Sequence, residues 1–119
     1  MRLVDETCIG ALERIPVGEG REVDLGGLLV AVFRTRSGSV HALEARCPHR
    51  GGPLADGLVD STSVVCPLHG WRFRLQDGAA LVGDSPTRSF AVREGDDGNI
   101  YVRCPAPASD GLGPAESPD

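Results

Sequence analysis

The chain has 119 residues, a formal net charge of −5 at pH 7, 16 glycines, 9 prolines and only 4% aromatic residues. That length allows one domain, the acidic balance argues against nucleic acid as a main partner, and no apolar run approaches the roughly 20 residues of a membrane helix. The first ten residues, MRLVDETCIG, lack a basic stretch followed by an apolar one. No export signal is read, so a reducing cytoplasmic location is expected, and the four cysteines read as metal ligands or free thiols rather than disulfides.

No internal repeat and no sustained helical period is present. The one helix candidate, Gly10–Ile15, is short and is stopped by Pro16. Strand signals dominate. Arg21–Leu25 alternates and meets the turn Gly26-Gly27; Leu28–Thr35 is an apolar, β-branched run; Ser37-Gly38-Ser39 turns the chain into Val40–Ala45. These predict a three-stranded antiparallel meander. Ser63–Val65 and Trp71–Leu75 follow, the latter with Trp71, Phe73 and Leu75 on one face and Arg72 and Arg74 on the other. Turns at Gln76-Asp77-Gly78 and Asp96–Asn99 frame the strands Arg88–Arg93 and Ile100–Arg103. Strands every 8–12 residues predict an all-β antiparallel sandwich or small barrel. The segment 105–119, PAPASDGLGPAESPD, has almost nothing to bury and reads as a disordered tail.

The stretch from Cys47 to Trp71 fits no strand. It reads Cys47-Pro48-His49, sixteen residues, then Cys66-Pro67-Leu68-His69-Gly70-Trp71. These are two clips, each with one thiolate and one imidazole, a donor set for a soft metal centre. A tetrahedral Cys2His2 zinc module is one reading. The usual zinc spacing, however, puts both cysteines in one clip and both histidines in the other. Mixed clips suit a two-iron cluster in which each loop lends one ligand to each iron.

CPHRGGPLADG followed by CPLHGW resembles the signature of Rieske-type [2Fe–2S] domains. The resemblance implies an all-β antiparallel Rieske domain over residues 1–104, a sandwich or barrel with two cluster-binding loops. It implies one [2Fe–2S] cluster, with Cys47 and Cys66 on one iron and His49 and His69 on the other. Two neutral imidazoles in place of two thiolates make the oxidised cluster neutral. An electron is then easier to add, which raises the potential from about −400 mV into a range of about −150 to +300 mV. High-potential relatives carry a disulfide and hydroxyl donors at positions that read here Gly51-Gly52, Leu68, Trp71 and Phe73, so a low-potential centre is implied. The chain is most similar to the small subunit of assimilatory NAD(P)H nitrite reductases, and next to Rieske ferredoxins of ring-hydroxylating dioxygenases. The partner implied is a flavin-dependent reductase or a large catalytic subunit, either a sirohaem nitrite reductase or an oxygenase, with no membrane and no nucleic acid.

No catalytic residue or substrate site of its own is read, and no nucleophile–base pair or nucleotide fingerprint is present. Gly51, Gly52, Gly57 and Gly70 are expected to allow tight turns and close approach to the cluster, and Pro48, Pro53 and Pro67 to stiffen the loops. Leu54 and Leu68 are expected to shield the cluster and, with His49 and His69, to form the docking surface. Trp71 reads as packing under the loop. Arg46, Arg50, Arg72 and Arg74 read as solvated strand faces, with a basic rim for an acidic partner as the alternative. His41 is not read as a ligand, and Cys8 and Cys104 read as small buried side chains.

Overall fold

A computed structural model of the chain describes residues 4–47, 52–68 and 70–105. Ten strands build two antiparallel sheets: β1 Val4–Ala11, β2 Glu19–Leu25, β3 Leu28–Arg34, β4 Val40–Glu44, β5 Leu58–Val59, β6 Ser63–Val65, β7 Arg72–Arg74, β8 Ala80–Val82, β9 Ser89–Glu94 and β10 Asn99–Pro105. The larger sheet has the order β1-β10-β9-β4-β3-β2 and the smaller β5-β6-β7-β8. The expected meander is β2-β3-β4, with Val23 opposite Val30 and Val32 opposite Ala42. The helix candidate is a single 3-10 turn, Leu12–Arg14, following β1. The expected tail lies mostly outside the described residues; β10 itself runs to Pro105.

β3 explains why its sequence, LLVAVFR, is apolar throughout instead of alternating. A strand points successive side chains to opposite faces, and a strand covered on both sides reads as a continuous apolar run. Val30 and Val32 enter one core with Ile15, Ala42, Phe90, Ile100 and Val102. Ala31 and Phe33 enter a second core with Leu43, Ala45, Leu54, Val64, Phe73 and Leu75. The second core lies between the two sheets and contains Cys47 and Cys66. β3 and β4 therefore tie the small sheet to the large one, and the two cysteines sit where the sheets meet.

The sequence gives no bounds for β1, whose Gly10 and Ala11 fall in the helix candidate, and three short elements were not legible either: β5, β8 and a 3-10 turn at Leu54–Asp56. Each is two or three residues long, too short for a periodic pattern to declare itself. They form through pairing instead: Leu58 with Val65, Val59 with Val64, Phe73 with Ala80. Among the described residues no helix is long and apolar enough to cross a membrane.

Candidate metal centre

The two clips are closed in the same way. In the first, an Arg46–Pro53 bridge brings the chain together, and Cys47 N–H donates to the Gly52 carbonyl at 2.8 Å. In the second, the Val65–Arg72 rung ends the β6–β7 hairpin, and Cys66 N–H donates to the Trp71 carbonyl at 2.7 Å. Each is a six-residue loop, Cys47-Pro48-His49-Arg50-Gly51-Gly52 and Cys66-Pro67-Leu68-His69-Gly70-Trp71, that opens with Cys-Pro and closes on the residue five further along. His49 and His69, with Pro48, Arg50 and Gly51, lie outside the described residues.

The loops converge. Cys47 and Cys66 are buried free thiols of one core. Burial, opposed by a hydrogen bond from the Leu68 N–H and reinforced by the neighbouring Cys47 thiol, pushes the Cys66 thiol up. Loss of that proton to a bound metal would therefore make loading favour higher pH. Gly52 of the first loop lies against Cys66 of the second: a Cβ there would stand 2.8 Å from Cys66 Sγ and 3.1 Å from the Leu68 side chain. Two buried thiols beside a glycine, with an amide donating to sulfur, form a donor set suited to a soft iron–sulfur centre. Among the described residues no group of three or more His, Cys, Asp or Glu side chains gathers for a metal.

Several expectations are corrected here. Leu54 is fully buried, because its 3-10 turn drives it into the core beneath the loops, so it belongs to the fold and not to a docking surface. Leu68 is 45% exposed and keeps that surface role open. Gly57 allows close approach not to the sulfur site but to the Val65 carbonyl, against which any Cβ would collide. Cys8 is exposed, on the edge strand β1; the Cys104 side chain lies outside the description. Trp71 does pack under the loop, half-buried beside Phe73 with ring centroids 6.2 Å apart. His41 stands on β4 with Nε2 3.1 Å from Ser39 Oγ, far along the strand from the clips.

The arginines near the loops are paired. Arg46 meets Glu22 at 3.2 Å, Arg72 meets Asp60 at 3.0 Å, and Arg74 meets Asp77 at 2.8 Å. This fits the reading as solvated strand faces, and the described part of the alternative, a basic rim, is self-neutralised. Asp60 is the most heavily engaged: the Thr62 N–H above all, then the Ser63 N–H and both hydroxyls, hold its carboxyl down to about 2. Arg72, one residue beyond the second clip, also donates to Ser63 Oγ at 2.8 Å, which ties β7 to the start of β6.

The sequence profile described as the Rieske [2Fe-2S] domain matches residues 5–93. A 4beta-methylsterol monooxygenase of Methylococcus capsulatus is 42% identical over 60 residues, 50% of this chain and 16% of its own. The chain spans about a sixth of the length of the curated relatives it matches. Among solved structures, an NADH-dependent nitrite reductase small subunit from Mycobacterium tuberculosis has a TM-score of 0.80 at 28% identity, over 86% of this chain and 96% of that one. The ferredoxin of carbazole 1,9a-dioxygenase from Nocardioides aromaticivorans has a TM-score of 0.74 at 30% identity, over 82% and 95%. Two sheets that bury a pair of thiols between paired loops, and a profile match over most of the length, lead to one conclusion: this chain belongs to the Rieske [2Fe–2S] domain family, and its cofactor is a [2Fe–2S] cluster.

Proposed function

We propose that the chain is a one-electron carrier whose cluster is held by Cys47 and Cys66 on one iron and by His49 and His69 on the other. The observation that carries this reading is the convergence of Cys47 and Cys66 in one buried core, with Gly52 of the first loop against Cys66 of the second. A bound [2Fe–2S] cluster supplies reversible one-electron storage. The chain's own residues do the rest. Cys47 and Cys66 present thiolates from the bases of two matching loops. The Leu68 N–H donates to the Cys66 sulfur, and Phe73 and Leu54, both fully buried, keep water from the core side. Trp71 and Phe73 bring no hydroxyl to the sulfurs, which supports a potential near the low end of the Rieske range of about −150 to +300 mV. His49 and His69, as ligands, would each keep a second ring nitrogen for a docked partner.

The role favoured is that of the small subunit of an NAD(P)H-dependent nitrite reductase, working in the cytoplasm beside a large sirohaem subunit. Support comes from the higher TM-score and the nearly complete coverage of the M. tuberculosis small subunit. The second reading, a ferredoxin that serves a ring-hydroxylating oxygenase, is favoured by the slightly higher identity to the carbazole dioxygenase ferredoxin. In both, a flavin-dependent reductase or the large subunit is the electron source. Cys47→Ser and Cys66→Ser should each abolish the visible absorption of the cluster and its bound iron; full retention in both overturns the ligand assignment. Nitrite-dependent NAD(P)H oxidation by the large subunit that rises on adding this chain supports the first role, and no rise with active large subunit refutes it.

A further inference from the structure

The contact between Trp71 and Gly83 has no part in the ligand set, yet it bears on the second loop. β7 and β8 pair with Arg72 opposite Val82, so the next position beyond the rung sets Trp71 against Gly83. Gly83 has φ +119°, and a Cβ on it would fall onto Cδ2 and Cε3 of the Trp71 indole and stand 2.9 Å from Cε2. The indole thus lies directly against Gly83, where no Cβ would fit. An aromatic ring laid across a cross-strand glycine protects an otherwise bare stretch of sheet edge. Here the same residue's carbonyl is the acceptor that closes the loop on Cys66 N–H at 2.7 Å.

We infer that Gly83 and Trp71 are positioning residues for Cys66, acting as an external clamp on the second cluster loop. The chain of contacts is short. Gly83 seats the indole; the seated residue holds its carbonyl over the Cys66 amide; the closed loop aims the Leu68 N–H at Cys66 Sγ. Groups that orient a ligand from behind commonly change metal affinity about 10–100-fold when altered. This inference rests on Cys66 being a cluster ligand, which Cys66→Ser tests separately. It adds that a residue in the β8–β9 connection, with no donor atom of its own, governs how firmly that ligand is held.

The test is Gly83→Ala in the full chain, with Gly26→Ala as the control. Gly26 also has positive φ, +72°, but nothing stands within 4 Å of an added Cβ, so it carries the backbone strain without the ring contact. Trp71 is the only tryptophan, and its fluorescence in protein stripped of iron reports the seating directly. Gly83→Ala should shift that emission, release iron to a chelator about ten-fold faster, and alter the visible circular dichroism of the loaded protein. Gly26→Ala should match the parent in all three. Should Gly83→Ala not fold, Trp71→Leu removes the ring without touching that backbone and should give the same faster release. Iron release equal to the parent in Trp71→Leu, or equal in the two glycine variants, overturns the inference. Loss of the cluster in Cys66→Ser alongside either of those results would leave the ligand assignment standing and the clamp refuted.

Discussion

Gly52→Ala isolates the point where the two loops touch. The added methyl group would stand 2.8 Å from Cys66 Sγ and 3.1 Å from Leu68 Cγ and Cδ1. Ordinary contact between such atoms begins at about 3.5 Å, so the overlap with sulfur is about 0.7 Å. Gly52 is not in the left-handed region, so no backbone strain adds to the effect. Overpacking of this kind costs about 1–3 kcal/mol. Removing a glycine from the unfolded chain returns about 0.4–1 kcal/mol. A net loss of about 1–2 kcal/mol follows, or roughly 4–8 °C of melting temperature per kcal/mol for a domain of this size. The larger effect falls on the sulfur. Leu68 can rotate away, but Cys66 Sγ is short, accepts from the Leu68 N–H and lies beside the Cys47 thiol. Iron release to a chelator, followed by visible absorption, should therefore accelerate about 10-fold or more, beyond what the fall in melting temperature explains. Gly52→Ala that loads and retains its cluster like the parent would show that the loops do not meet at this glycine.

Leu54→Ala should behave as a core truncation: Leu54 is fully buried, and such a change costs about 2–5 kcal/mol, read as a lower melting temperature. Slower transfer to a partner with unchanged melting would return Leu54 to the docking surface. Burial holds the His41 imidazole below its usual 6.5 in the folded chain. Its neutral form therefore contributes stability at pH above about 6.5, and that contribution is lost as pH falls below it. Melting between pH 7.5 and 5.5 should fall more steeply for the parent than for His41→Gln, and parallel curves would refute this.

The arginine pairs bear on how a partner would be recognised. Arg46, Arg72 and Arg74 each have a carboxylate within 3.2 Å, and these are exposed pairs of small individual worth. What they do is cancel local charge beside the loops. The apolar Leu68, 45% exposed on the second loop itself, is then available for contact. Leu58, 78% exposed on β5, lies across the same small sheet, on the rung with Val65 and Arg72 that leads into that loop.

Much of the design is written in residue types. The two Cys-Pro openings, Cys47 and Cys66, with sixteen residues between His49 and Cys66 and the histidines one position out of step, specify paired loops and a mixed donor set without any coordinates. The strands β2, β3, β4, β9 and β10 of the large sheet are equally plain, because each shows alternation or a doubly buried apolar run and has a glycine turn at one end or both; β1 is not, because its last residues read as the start of a helix. Tertiary structure alone decided the rest, because it depends on what residues distant in sequence do to one another. Leu54 looked like a loop leucine and is core, because a three-residue turn points it between the sheets. Gly57 and Gly52 looked alike, yet one faces a carbonyl and the other a thiol. The arginines read as solvated strand faces, and only the fold shows that Glu22, Asp60 and Asp77 stand beside Arg46, Arg72 and Arg74 and remove the alternative of a basic rim there. Short-range pattern encodes local backbone geometry and ligand chemistry; packing partners and charge neutralisation are set by the fold that brings separate strands together.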